Sequence, residues 1–168
     1  MAKIDADMTA LIRRTILCFA ATINADGSPN LSPKSTLAVH DEEHLLFANI
    51  ASPRTIANLR RDPRIEINCV DIFSRRGYRF SGHGSVRSKG DPIYEQVAAA
   101  LRAEHDNAVP VHDVVLVKVS SAKPVLSPAY TFIPRTTEAK LRDIYASKYG
   151  MAALAHEENA LPRLSEGG

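Results

Sequence analysis

From Thr15 onward short strand-like runs follow one another, several alternating apolar and polar residues and VVLVKVSSA continuously apolar, and this succession constrains the fold more than any other feature. The runs are TILCFAATIN (15–24), PNLSPKSTLAVH (29–40), HLLFANI (44–50), RIEINCV (64–70), YRFSGHGSVRS (78–88) and VVLVKVSSA (114–122). In the fourth, Ile65, Ile67 and Cys69 alternate with Arg64, Glu66 and Asn68, the pattern of a half-buried strand. The first three are joined by turn signals. Ala25–Gly27 predicts an Asp-Gly hairpin turn with its positive φ angles, and Asp41–Glu43 turns the second run into the third, so the opening reads as a β-meander.

Helical periods interrupt this pattern in few places. Residues 5–14 read as a short amphipathic helix, with Asp5 or Asp7 as cap and Met8, Leu11 and Ile12 on one face. A second short helix starts at Ser52-Pro53 and carries Ile56 and Leu59 before RRDP ends it. Asp91, Pro92, Ile93, Val97 and Leu101 predict a longer helix that packs on the sheet, and TTEAKLRDIYASKYG predicts another that stops at Gly150. The last stretch reads as a weak helix and a frayed tail. A mainly β (α+β) single domain follows, an antiparallel barrel with short peripheral helices, in which Gly82 and Gly84 mark sharp bends. At 168 residues and 45% hydrophobic content, one domain with a real core is the expectation.

A net charge of +2 is too even to imply a polyanion as partner. Nucleic acid is not expected, since aromatic residues make up 6% of the chain and none is Trp. Cys18 and Cys69 each sit in an apolar run and read as small buried hydrophobes, which suits a reducing, cytoplasmic setting. The N-terminus carries acidic residues where an export signal needs positive charge, and TILCFAATI is too short to span a bilayer. The six histidines lack metal-ligand spacing, so no metal is expected.

Two stretches carry chemistry. ANIASPRTIANLRRDP (48–63) opens a helix with Ser52 at the cap, Pro53 at the first position and Arg54 just inside. The unpaired N–H groups of Arg54 and Thr55 at the positive end of the helix dipole form a ready anion site. The Arg54 guanidinium and Thr55 hydroxyl add donors, and Ser52 either caps the helix or meets the anion; Arg54, Asn58 and Arg61 share one face. In NLSPKSTLAV, alternation sets Asn30, Ser32, Lys34 and Thr36 on one face and Leu31, Leu37 and Val39 on the other. Either that polar row faces solvent, or Lys34 forms the second wall of a phosphate site.

These runs, TINADGSPNLSPKSTLAV, LLFANIASPRTIANLRRDPRIEINCV and RRGYRFSGHGSV, resemble the pyridoxamine 5'-phosphate oxidase-like family of FMN-binding split β-barrels over residues from about 15 to 130. The resemblance implies a homodimer with FMN in clefts between subunits. It places Ser32, Pro33, Lys34, Ser35 and Thr36 on the strand that holds the phosphate and ribityl chain, and Ser52, Arg54 and Thr55 at the phosphate. Ala48, Asn49 and Ile50 would line the ring, Asn58 would support the ribityl chain, and Tyr130 of SPAY would reach the flavin edge of the other subunit. The basic and aromatic ending that true pyridoxamine phosphate oxidases use for their substrate has no counterpart in LPRLSEGG, so oxidation of vitamin B6 is not expected. An FMN-dependent oxidoreductase of unassigned small-molecule substrate is the first reading; a deazaflavin-coenzyme reductase and a non-catalytic flavin carrier or sensor are the others. The basic loop Arg75–Arg79 would dock a phosphorylated electron donor such as NAD(P)H.

Overall fold

The computed structural model describes residues 3–105 and 108–151, and the weak helix and tail expected beyond Met151 lie outside these residues. In chain order the elements are α1 (Ala6–Arg14), β1 (Cys18–Ile23), β2 (Pro29–Lys34), β3 (Ala38–Val39), β4 (His44–Asn49), α2 (Pro53–Arg61), β5 (Arg64–Asp71), β6 (Arg76–Arg87), α3 (Pro92–Glu104), β7 (Asp113–Leu126), α4 (Ala129–Phe132) and α5 (Glu138–Lys148).

The strands form one sheet in the order β2-β1-β5-β6-β7-β4-β3. The pairs β1–β2, β1–β5, β3–β4 and β4–β7 are antiparallel. β2 and β3 stand at opposite ends of this order, yet only Ser35, Thr36 and Leu37 separate them in the chain. Such a link spans at most roughly 14 Å. The sheet must therefore curl until its edges approach, and the α+β split barrel expected from the sequence is the result. The predicted single strand over 29–40 breaks here because residues 35–37 cross from one edge to the other. Thr36 sutures the crossing, its Oγ1 accepting from the Ala48 N–H at 3.0 Å.

Burial explains the composition of each strand. Leu45 and Phe47 of β4 and Val115, Val117 and Val119 of β7 point into the barrel, where they meet Ile65, Ile67, Phe80, Leu11, Ile12, Ile56 and Leu59. Leu46, Ala48, Val114 and Leu116 face the opposite way and are covered by Tyr94 and Ala98 of α3. Strands buried on both faces lose the polar alternation, which is why HLLFAN and VVLV read as continuous apolar runs. The Asp91 carboxylate caps α3 through the Ile93 N–H at 2.8 Å.

Between β1 and β2 the turn is wider than the tight Asp-Gly type expected. Ile23 pairs with Pro29, the Asn24 N–H is donated to Ser28 O, and only Gly27 takes positive φ. Gly82 has a packing reason: a Cβ there would lie 2.2 Å from the Lys118 carbonyl oxygen.

Contacts divide the chain into two compact units, Met1–Val70 with Gly77–Val125, and Asp71–Arg76 with Leu126–Gly168. The first holds the barrel interior and α1 to α3. In the second, Arg142 is paired with Asp71 and with Glu138, and Glu138 also takes Arg76 at 3.1 Å. Burial pushes the Asp71 carboxyl up, but the N–H groups of Phe73 and Ser74 and the Arg142 charge outweigh it and hold the group below the usual carboxylate range.

Candidate phosphate-binding site

The polar row of β2 does not face solvent. Asn30, Ser32 and Lys34 turn inward while Leu31 is 66% exposed. Period two says which residues share a face, and partners decide which face is inside. Those partners come from β1 and α2. Asn30 Nδ2 donates to Thr22 Oγ1 at 3.0 Å and to Thr55 Oγ1 at 3.3 Å, and Asn58 Nδ2 donates to Thr22 Oγ1 at 3.1 Å and Asn24 Oδ1 at 3.0 Å. Asn58 and Thr55 are thus buried anchors of α2. Arg61 donates to the Ile23 carbonyl, so the face shared by Arg54, Asn58 and Arg61 is largely spent on the β1–β2 hairpin.

Lys34 is the centre of the site. Its residue is only 5% exposed, and its ammonium donates to Ser32 Oγ and to Ser52 Oγ, each at 2.7 Å. The Phe47 ring lies beneath it, 5.3 Å from Nζ. No carboxylate of the described residues neutralises it, and burial pushes its pKa down to about 8.

Ser52 is the residue before α2, but it does not cap the helix. Its hydroxyl donates to Asn49 Oδ1 at 3.1 Å, which also accepts the Ser52 N–H at 2.9 Å, and its oxygen is taken by Lys34. The start of α2 therefore keeps its dipole uncompensated, with no acidic residue in its first turn. Arg54 is exposed and makes no hydrogen bond or ion pair with a described residue. A buried ammonium is thus tied to Ser52 at an uncapped helix start, and Arg54 follows in the first turn of that helix, a donor set suited to a phosphate.

Behind it lies a residue that sequence pattern did not single out. Asn49 Nδ2 donates to Asp113 Oδ2 at 3.3 Å, and Asp113 Oδ1 accepts from Arg60 at 3.2 Å and from Ser88 at 2.9 Å. Asp113 orients Asn49, which orients Ser52. It sits 64 residues from Asn49 in the chain and had no local signal.

The other expected residues divide as follows. Asn49, Ile50, Ala51, Pro53, Arg60 and His112 line a cleft of about 390 Å³ beside the helix start. Ser35 and Thr36 line another, about 630 Å³, against Gln96, Val97 and Leu101 of α3. Ala48 is buried and tied to Thr36. Pro33 is exposed and pairs with Phe19. Tyr130 belongs to the second unit, where its hydroxyl donates to the Ser74 carbonyl at 2.6 Å.

Several arginines are occupied by carboxylates: Arg60 by Asp113, Arg64 by Asp62, and, of the expected docking loop, Arg76 by Glu138 and Arg79 by Glu66. Arg75, at φ 58°, stacks over the Tyr145 ring at 4.7 Å. Among the described residues no three His, Cys, Asp or Glu side chains gather to hold a metal ion, and no helix is long and apolar enough to cross a membrane.

A curled antiparallel sheet closed by a short crossover, with a buried lysine at an uncapped helix start, defines a split barrel. The model of the pyridoxamine 5'-phosphate oxidase family matches residues 4–133, and the chain belongs to that family. Among solved structures it is similar to HupZ of Group A Streptococcus, at 26% identity and a TM-score of 0.66 over 74% of this chain and 95% of that one. It also resembles an FMN-binding protein of Syntrophomonas wolfei, at 16% identity and a TM-score of 0.63 over 71% and 84%. A third similar structure is an F420 reductase, at 17% identity and a TM-score of 0.55 over 71% and 98%. The last two likenesses bear on the fold alone. No curated protein matches the sequence.

Proposed function

We propose that the chain is an FMN-binding flavoprotein and acts as an FMN-dependent oxidoreductase on a small molecule. The observation that carries this is Lys34, a buried ammonium with hydroxyl partners and no counter-charge, held against the uncapped start of α2. A protein keeps such a charge where an anion completes it. A phosphate monoester fits: Lys34 and Arg54 supply charge, the N–H groups of Arg54 and Thr55 supply directed donors, and Ser32 and Ser52 fix the ammonium. Membership of the family and the likeness to an FMN-binding protein support FMN as that monoester. The flavin ring, when bound, would carry the electrons in and out. The chain's own residues would then grip and orient: Asn49 and Ile50 would border the ring, with the covered Ala48 backing them, and Ser35 and Thr36 would border the ribityl chain.

FMN is favoured over a deazaflavin coenzyme by the ion pairs of the arginines. A longer phosphodiester tail calls for a wide run of free positive charge, and Arg60, Arg64, Arg76 and Arg79 are already paired.

The active form in this reading is a homodimer. Leu17, Phe19 and Leu31 are exposed on the outer face of the β1–β2 hairpin, and beside Phe19 the buried Asn68 Oδ1 has no hydrogen-bond partner. A second copy would cover this face.

The test is the identity of the molecule that co-purifies, followed by turnover. A yellow protein that releases FMN and reduces a dye with NADPH supports the proposal. Bound FMN with no turnover by any reduced nicotinamide would make it a carrier. A colourless protein that takes up no flavin would overturn the proposal.

A further inference from the structure

The two cysteines are far apart in sequence but not in the fold. β1 and β5 pair with Phe19 opposite Asn68 and Ala20 opposite Ile67, so the next step of the same register sets Cys18 opposite Cys69. Both are free thiols and both are buried in the barrel interior. Directly opposite residues of an antiparallel pair have Cα atoms about 4.5–5.5 Å apart, inside the range a disulfide accepts. Gly77 presses on the same spot, since a Cβ there would lie 2.0 Å from the Cys69 carbonyl oxygen, and this keeps the β5 backbone in place.

We propose that Cys18 and Cys69 form a reversible cross-strand disulfide when the protein meets a peroxide, with Cys18 as the attacking thiol and Cys69 as the resolving one. Cys18 stands at the opening of β1 whereas Cys69 lies within β5, and the directions agree with this: the neighbouring Cys69 lowers the pKa of Cys18, and its neighbour Cys18 together with burial raises that of Cys69. Cys18 is 1% exposed and opens β1 next to Leu17 and Ile16, which are 51% and 80% exposed, so a small oxidant reaches it when the start of β1 opens transiently. The Cys18 thiolate attacks one peroxide oxygen, the O–O bond breaks, and hydroxide leaves a sulfenic acid behind. The Cys69 sulfur then attacks the sulfenic sulfur; the S–S bond forms, the S–O bond breaks, and the hydroxyl departs with the Cys69 proton as water. Two thiols lose two electrons, and one peroxide becomes two waters once the released hydroxide is protonated.

The bond would enclose residues 18–69, which carry β2, β4, the start of α2 and every donor of the phosphate cradle. Oxidation therefore staples the cofactor site without occupying it. This inference does not depend on which anion binds there.

The experiment treats the purified full chain with hydrogen peroxide in steps, alkylates it under denaturing conditions, and reads intact mass and peptide maps. The expected result is joint loss of both thiols, a mass lower by about 2 Da before alkylation, a linked peptide pair containing Cys18 and Cys69, and recovery of both thiols with dithiothreitol. The melting temperature should rise by roughly 5–10 °C on oxidation. In Cys69→Ala the reaction should stop at a Cys18 sulfenic acid that dimedone traps, and in Cys18→Ala the Cys69 thiol should survive. Both thiols persisting in the wild-type protein, oxidation of one cysteine without the link, or trapping on Cys69 instead of Cys18 would each overturn the proposal. The wild-type measurement decides the matter even where a variant fails to fold.

Discussion

Replacing Lys34 by Met should make the flavin-free protein more stable while weakening its hold on FMN. The ammonium's pKa falls from 10.5 to about 8 through burial alone. At neutral pH that corresponds to about 3 kcal/mol of disfavoured charge, at 1.36 kcal/mol per pH unit. The substitution also strips a donor from Ser32 Oγ and Ser52 Oγ, each hydrogen bond contributing about 1 kcal/mol. Met keeps most of the side-chain volume over the Phe47 ring, so the net gain is about 1 kcal/mol, or roughly 2–4 °C in melting temperature for a chain of this size. The sign of the pH dependence follows from the same shift. Between pH 8 and 10.5 the unfolded state binds the proton more tightly than the folded one, so stability of the flavin-free parent rises with pH through that window. The variant should lack this rise. Urea denaturation of both proteins at pH 7 and across pH 8 to 10.5, without flavin, measures it. A variant about 2 kcal/mol less stable than its parent, with an unchanged pH profile, would refute the view of Lys34 as a charge lacking a counter-ion.

Three further outcomes are expected. Asn58→Ala removes two hydrogen bonds that hold α2 to β1 and the following turn, and should cost about 2 kcal/mol by denaturant titration. Gly82→Ala drives a Cβ into the Lys118 carbonyl and should destabilise by roughly 2–4 kcal/mol, or abolish soluble expression, whereas Gly27→Ala, at the open turn with φ 83°, should cost about 1 kcal/mol. Leu31→Asp puts a charge on the exposed face of the β1–β2 hairpin and, if the proposed homodimer forms through this face, should turn it into a monomer by light scattering, leaving the far-ultraviolet circular dichroism unchanged.

Much of the fold was legible because period two and the turn signals between runs are local properties. The start of α2 was equally plain from Ser52-Pro53. What alternation could not reveal was orientation. It grouped Asn30, Ser32 and Lys34 correctly but left them either wet or buried, because Thr22, Thr55 and Ser52, which receive them, lie on other elements, and it misplaced Thr36, which lies in the crossing and is tied to Ala48. Ser52 reads as a helix cap in isolation, and only the folded neighbours show its hydroxyl committed to Asn49 and its oxygen to Lys34. The loop Arg75–Arg79 looked free to dock an anion because the carboxylates that take Arg76 and Arg79, Glu138 and Glu66, come from other segments. Asp113 and the pairing of Cys18 with Cys69 were hidden for the same reason, since register between remote strands is a tertiary fact.

The central claim is that Lys34 and the start of α2 hold a flavin by its phosphate. Fluorescence titration of the flavin-free protein with FMN and with riboflavin, which differs by that phosphate alone, tests it most directly. The account predicts that FMN binds at least about 100-fold more tightly, as expected for several charge-assisted hydrogen bonds, and that the gap narrows to about tenfold or less in Lys34→Met. Equal affinity of the parent protein for FMN and riboflavin would contradict it.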